Sequence, residues 1–254
     1  MCEIKLSVNF PKIQIVSNSE TILKGINFKL TGGNLYGIIG DNGTGKTTLL
    51  KCITGLQDEK IISAEGEVLL NGQNILKLNN GEMRILRQKQ IRYIFQNPSD
   101  SFDPFRKIRF YFPPDIPQER ISEYSEILGL PSTNEFLSAF PHELSVGQLQ
   151  RIALLFALVS RPQILFLDEP TSALDLISAE SVSNLLCKMA DEGGIIFLVS
   201  HDLGFLKDIC TQIAYVNEKT LSPFITKTEF FDYANINSDY LRSLIDSYRF
   251  FYGK

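Results

Sequence analysis

The sequence is short of several features that would settle its class at once. No apolar run approaches the roughly 20 residues a helix needs to cross a bilayer. The longest, IALLFALV (152–159) and IIFLV (195–199), fall far below that length, so this chain is not expected to span a membrane by itself. Its first residues, MCEIKLSVNF, hold no basic region followed by an apolar core, and no signal peptide is expected. The four cysteines, Cys2, Cys52, Cys187 and Cys210, have no C-x-x-C spacing and read as buried thiols of a reducing cytoplasm. Positive charge is not in excess either. Against 29 Asp and Glu stand 25 Lys and Arg, a net charge of −4, which speaks against a protein that coats nucleic acid. Internal repeats, low-complexity tracts and obvious linkers are missing as well.

What is there fits a globular chain. Of 254 residues 44% are apolar and 21% charged, close to the usual proportions. At roughly 150 residues per domain the length allows one large domain or two small ones. Such a chain buries about three-quarters of its unfolded surface and needs no disulfide or metal staple. NLYGIIG (34–40), QILFLDE (163–169) and GIIFLVSH (194–201) are short apolar runs ending in glycine or polar residues, as strands covered on both faces do. Val182, Leu185, Leu186 and Met189 recur at helical spacing, with Gly193 and Gly194 as the stop. Strands alternating with helices predict an α/β core with a mainly parallel sheet. The first 35 residues and EGEVLLNGQNI (65–75) read instead as antiparallel hairpin material, with Asn71-Gly72 as a turn. From Asn97 to about Arg161 strand signals vanish, and prolines 113, 114 and 117 precede helical patterns, which predicts a helical subdomain.

The sharpest chemical signal is GDNGTGKTT (40–48), which fits G-x-x-x-x-G-K-[ST] between a predicted strand and a predicted helix. Glycines let backbone N–H groups curl around an anion, and the helix N-terminus adds the positive end of its dipole. Gly40, Asn42, Gly43, Gly45, Lys46, Thr47 and Thr48 are the phosphate-binding candidates. Lys46 reaches for the β- and γ-phosphates and the Thr47 hydroxyl for Mg²⁺. Downstream, ILFL (164–167) ends in Asp168-Glu169, two carboxylates at the carboxyl end of a strand, where ligands sit in open α/β sheets. Beside the phosphate loop, Asp168 suits Mg²⁺ and Glu169 suits polarising an attacking water.

With these motifs on the page, the chain resembles the ATP-binding subunits of ABC transporters over nearly its whole length. Gln96 in YIFQNP is similar to the Q-loop, LSVGQ (144–148) to the signature motif and ILFLDEP to the Walker B strand. SALD (172–175) is similar to the D-loop and His201 to the switch histidine, all in the family's order. The implied fold is an ABC-type P-loop NTPase: a RecA-like core with a mainly parallel sheet, an N-terminal antiparallel β subdomain and a helical subdomain. As one domain it divides into 1–96 with 162–225, a helical part 97–161 and a tail 226–254. The resemblance implies two such subunits closing head to tail over two ATP molecules. Ser145 and the Gly147 N–H would bind the partner's γ-phosphate, with Gln148 also at the partner's nucleotide, and Asp175 would act across the interface. Glu169 would be the general base, His201 would contact the γ-phosphate, and Gln96 would sense Mg²⁺ and water. His142 reads as a loop residue or one at a helix start; Arg92, Lys107 and Arg109 read as solvated surface.

QNPSDSFDPF (96–105), FPHELS (140–145) and DYLRSLI (239–245) are similar to segments of importers for oligopeptides, dipeptides, nickel and metal chelates. The expectation is therefore an ATPase subunit of an ABC importer, peripheral on the cytoplasmic face of the membrane. Its expected partners are permease subunits, a second ATPase, identical or different, and indirectly an extracellular substrate-binding protein. An exporter ATPase and a soluble ABC ATPase acting on ribosomes, DNA or iron–sulfur assembly are the rivals. Three features depart from the family. Val146 stands where glycine is usual, though some exporters are similar in carrying valine there, and its branched side chain is expected to crowd a phosphate. No aromatic lies between Phe10 and Phe28, where one would stack on adenine near Val16 or Ser17. Gln96 and Ser145 are 49 positions apart, somewhat short for the peptide importers, with 108–118 in place of a helix. No cysteine follows Cys210, so no tail iron–sulfur cluster is expected.

Overall fold

The computed structural model describes residues 3–170, 176–232 and 238–252 of the chain. Strands β1 (Lys5–Ile15), β2 (Thr21–Thr31) and β3 (Asn34–Ile39) lead into α1 (Lys46–Thr54). Next come β4 (Ile62–Leu70), β5 (Gln73–Asn74), α2 (Asn80–Lys89) and β6 (Ile91–Ile94). A stretch without strands carries α3 (Gln118–Ile127), α4 (Thr133–Ser138) and α5 (Val146–Val159). There follow β7 (Ile164–Asp168), α6 (Leu176–Asp191), β8 (Ile195–Ser200), α7 (Leu203–Ile209) and β9 (Gln212–Asn217). Short strands β10 (Thr220–Leu221) and β11 (Ile225–Thr226) then precede α8 (Lys227–Phe231) and α9 (Asp239–Tyr252).

Two sheets result. In the first, β2-β1-β4-β5, every pairing is antiparallel. Alternation puts Leu6, Val8, Phe10, Leu23, Ile26, Phe28 and Leu30 inside. The β1–β4 register shifts between Asn9 and Lys12, where Pro11 has no N–H to give to a ladder. Asn71 (φ 49°) and Gly72 (φ 88°) make the tight β4–β5 turn, a conformation their residue types tolerate. The second sheet has the order β9-β3-β8-β7-β6 in its parallel part, with β10 and β11 added antiparallel to β9.

The parallel strands are buried on both faces, and their apolar runs split by parity. Leu35, Ile39, Leu165, Leu167, Ile196 and Leu198 face a core completed by α5, α6, α7 and α9. Tyr36, Ile38, Ile164, Phe166, Phe197 and Val199 face the antiparallel sheet and α1, where Phe197 stacks on Phe28 with ring centroids 5.7 Å apart. A buried Leu, Ile or Phe is worth roughly 1.5–3 kcal/mol, so the sheet is held from both sides. Because β3, β6, β7 and β8 run parallel, their carboxyl ends emerge along one edge. That edge is where the phosphate loop, Gln96, Asp168-Glu169 and His201 begin.

The structure adds two parallel strands to those expected, β6 and β9. Both are short and carry polar residues, Arg92 and Tyr93 in one, Gln212, Tyr215 and Asn217 in the other. The expectation of solvated surface fails at Arg92. Its guanidinium is half-buried, donates to the Arg87 carbonyl (2.6 Å) and to Ser160 Oγ (3.3 Å), and lies 4.7 Å over the Phe156 ring. Lys107 sits over Phe140, while Arg109 is exposed and bonded to Ser138. His142 is exposed in a short 3₁₀ turn and stacks on Phe140. Residues 108–111 form a 3₁₀ turn, and no α-helix precedes α3 there. No described helix is long and apolar enough to cross a membrane.

Candidate active site

The loop from Gly40 to Gly45 turns tightly, with Gly43 at φ 79° and Gly45 at φ 97°. Gly45 is the N-cap of α1 and has no side chain to offer the first-turn N–H groups, which leaves them turned toward whatever anion lies above. A Cβ at Gly45 would stand 2.7 Å from Ile22 Cγ2, so packing as well as φ demands glycine. Lys46 folds over its own loop, Nζ donating to the carbonyls of Gly40 (2.7 Å) and Asp41 (2.9 Å). Burial pulls the Lys46 pKa below its ordinary value, opposed by the nearby carboxylates of Glu169, Asp168 and Asp41.

Across the sheet edge stands Asp168, 1% exposed. Its Oδ1 accepts from Thr47 Oγ1 (3.0 Å) and its Oδ2 from the Tyr93 hydroxyl (2.9 Å). Burial pushes the Asp168 pKa up, and the two hydrogen bonds, with Tyr93 first, pull against it. Burial and the same carboxylate drive Tyr93 far above its ordinary range, so it stays a phenol and a donor. Glu169 follows in the left-handed conformation, φ 51°, unusual for a non-glycine residue. Its carboxylate is 5% exposed and accepts from Ser200 Oγ and the His201 N–H, both at 3.3 Å. His201 Nδ1 lies 2.9 Å from Glu169 Oε2, the distance of an N–H donating to a carboxylate, with the imidazole itself largely exposed. A strained, buried carboxylate held by two neighbours is a costly arrangement, and such costs concentrate where chemistry is done.

Asn42, Gly43, Gly45, Lys46, Thr47, Thr48, Gln96 and Glu169 line one open cleft of about 720 Å³. Its other wall is Ile15, Thr21 and Ile22 with the Glu20–Lys219 ion pair (3.5 Å). Aliphatic side chains thus stand there, while Val16 is 45% exposed at the position expected of an adenine-stacking aromatic. The Thr47 hydroxyl and Asp168 carboxylate are hard oxygen donors in mutual contact, which fits Mg²⁺. That ion takes one or two carboxylates and leaves its remaining positions to phosphates and water. Among the described residues no group of three or more His, Cys, Asp or Glu offers an all-protein cage instead.

Ser145, Gly147 and Gln148 are not part of this cleft. They open α5, with Ser145 as N-cap: its Oγ accepts from the Gln148 N–H (3.2 Å), and Gln148 Oε1 accepts from the Ser145 N–H (2.8 Å). Val146 beside them is 57% exposed. Asp175 lies outside the described residues. Two partners in the site escaped the sequence reading: Tyr93, 75 positions from Asp168, and the direct His201–Glu169 contact. Tyr93 opens the YIFQNP string, but its bond to Asp168 is written in no motif; both contacts follow from strand register.

With the geometry given, the chain can be compared with known proteins. It is 39% identical over 199 residues to the methionine import ATP-binding protein MetN of Latilactobacillus sakei, covering 76% of this chain and 56% of that one. It is 27% identical to the oligopeptide transport ATP-binding protein OppD of Lactococcus lactis subsp. cremoris, covering 92% and 72%. The chain spans little more than half the length of that MetN relative. Among solved structures, a dimeric ATP-binding cassette in a post-hydrolysis state bound to ADP and Pi superposes with a TM-score of 0.74. It is 25% identical and covers 87% of this chain and 98% of its own. An ATP-binding subunit of an ABC transporter superposes at 0.77 with 19% identity over 95% and 98%, which speaks to the fold alone. Residues 23–172 match the ABC transporter family, and together with the loop, the buried carboxylates and the fold this match establishes that the chain belongs to it.

Proposed function

We propose that the chain is an ATP-hydrolysing subunit that drives an ABC importer. The observation that carries this reading is the convergence of Lys46, Thr47, Gln96 and Glu169 on one cleft, with Asp168 bonded to Thr47. In it the loop amides and Lys46 bind the phosphates, and Gln96 reaches the same space from the end of β6. Thr47 and Asp168 would hold Mg²⁺, with Gln96 beside them. Mg²⁺, when bound, supplies charge neutralisation at the phosphates. Glu169 takes a proton from the attacking water, and His201 holds the Glu169 carboxylate and, with its imidazole exposed, would contact the γ-phosphate. With aliphatic side chains on the far wall, affinity rests mainly on the phosphates.

The partners and the cargo are part of the proposal. Ser145, Gly147 and Gln148, exposed or half-buried at the start of α5, would complete the nucleotide site of a second ATPase, with Asp175 at the same interface. A helical part, 97–161, would turn against the remainder (1–96 with 162–225) as permease subunits change state, while 226–254 forms a tail. The chain would be peripheral on the cytoplasmic face. The names of its relatives support uptake of peptides or methionine; nickel and metal chelates, equally expected from the sequence, lack that support, as does the exporter reading. Import further calls for an extracellular substrate-binding protein.

The test is Glu169→Gln. Loss of a general base typically slows a reaction by ~10²–10⁴, so ATP turnover is expected to fall by that factor while ATP binding persists. Unchanged turnover overturns the role of Glu169, and loss of binding alone moves it to nucleotide affinity.

A further inference from the structure

Asp168 is hidden from solvent, and each of its oxygens has its own donor, Thr47 on one and Tyr93 on the other. The Thr47 hydroxyl belongs to the phosphate loop and must answer to the nucleotide as well. The Tyr93 hydroxyl does not, because it comes from a different strand. β6 pairs in parallel with β7 so that Tyr93 stands opposite Phe166, two residues before Asp168. A tyrosine reaching along the strand direction from that position meets the carboxylate at the strand end. The ring is fixed at its own base by Phe95, edge to face at 4.7 Å. On its other side it lines a groove of about 260 Å³ with Arg87, Arg92, Phe102 and Phe156, between the sheet and α5.

We infer that Tyr93 is a positioning residue for the metal: its hydroxyl holds Asp168 Oδ2, so that the carboxylate is kept oriented with Oδ1 toward Thr47. The inference rests on the Mg²⁺–ATP reading of the site. Groups that hydrogen-bond a metal-ligating carboxylate typically contribute 10–100-fold in metal affinity. Phenylalanine at 93 would preserve the ring and its packing and take away only the donor, leaving a buried carboxylate oxygen without a partner.

The experiment titrates a fluorescent ATP analogue into the purified chain, once in excess Mg²⁺ and once in EDTA. It uses wild type, Tyr93→Phe, Asp168→Asn and the double variant. Tyr93→Phe is expected to leave the EDTA affinity within twofold of wild type. The affinity gained on adding Mg²⁺ should fall about tenfold. In the Asp168→Asn background the same change should have no further effect, because the acceptor it serves has already been altered. An Mg²⁺ gain within twofold of wild type overturns the inference. So does an equal loss in EDTA and Mg²⁺, which would make Tyr93 a general packing residue, or an undiminished effect in Asp168→Asn. A wild-type chain that gains no affinity from Mg²⁺ would bring down the Mg²⁺–ATP reading, and this inference with it.

Discussion

Gly45 and Glu169 are the residues where backbone and chemistry meet most tightly. Both have positive φ, one because it is glycine and one in spite of being glutamate. Gly45→Ala forces a Cβ into Ile22 in a strained conformation, which costs about 1–3 kcal/mol. Nucleotide affinity and melting temperature are both expected to fall, and a titration calorimeter with a thermal melt reads both; unchanged affinity would mean the loop is not the phosphate cradle. The loop and the Asp168-Glu169 pair were legible in the sequence because each is a contiguous string whose residue types have few other uses. Tyr93 was not, since nothing in a strand of four residues announces which way its hydroxyl points. The missing adenine-stacking aromatic was legible as an absence. That Ile15 and Ile22 stand on that wall depends on how β1 and β2 pair.

Among the elements, α5, like α2 and α8, starts on a reciprocal cap. Ser145 and Gln148 satisfy one another's backbone N–H groups, and nine of the helix's residues are buried behind them. Ser145→Ala removes the cap at a cost of about 1 kcal/mol. In a chain of this size that should lower the melting temperature by roughly 2–4 °C. If Ser145 also completes a partner's site, ATP turnover in the assembled transporter should fall by more than the lost stability explains, and an intact turnover would confine Ser145 to capping. The buried strands β3, β7 and β8 were readable as apolar runs, and the helix over 176–191 as a period. β6 and β9 were not, because edge-ward strands keep polar residues that a run-based reading passes over. Arg92 misled for a related reason: a charge on paper says nothing of the Phe156 ring and carbonyl waiting for it.

For the whole molecule, the parallel sheet turns the phosphate loop, Gln96, Asp168-Glu169 and His201 into neighbours, since each follows a strand that ends at the same edge, while Ser145, Gly147 and Gln148 stay apart at the start of α5. The α/β class was therefore legible from alternation, whereas the strand order, with β3 inserted between β8 and β9, was not. Mild-detergent purification of the tagged chain, with mass spectrometry of what it retains, is expected to return two polytopic membrane proteins and a second ATPase. Soluble partners alone would overturn the transport reading. Lys46, Asp168 and Glu169 are charged side chains sunk to 6%, 1% and 5% exposure. A ligand that answers those charges binds the folded chain and not the unfolded one. Mass action then adds about 2.7 kcal/mol of stability at a hundredfold excess over Kd. Occupancy of the cleft would thus set the lifetime of the folded chain, and copies with an empty cleft are expected to be the first a protease cuts.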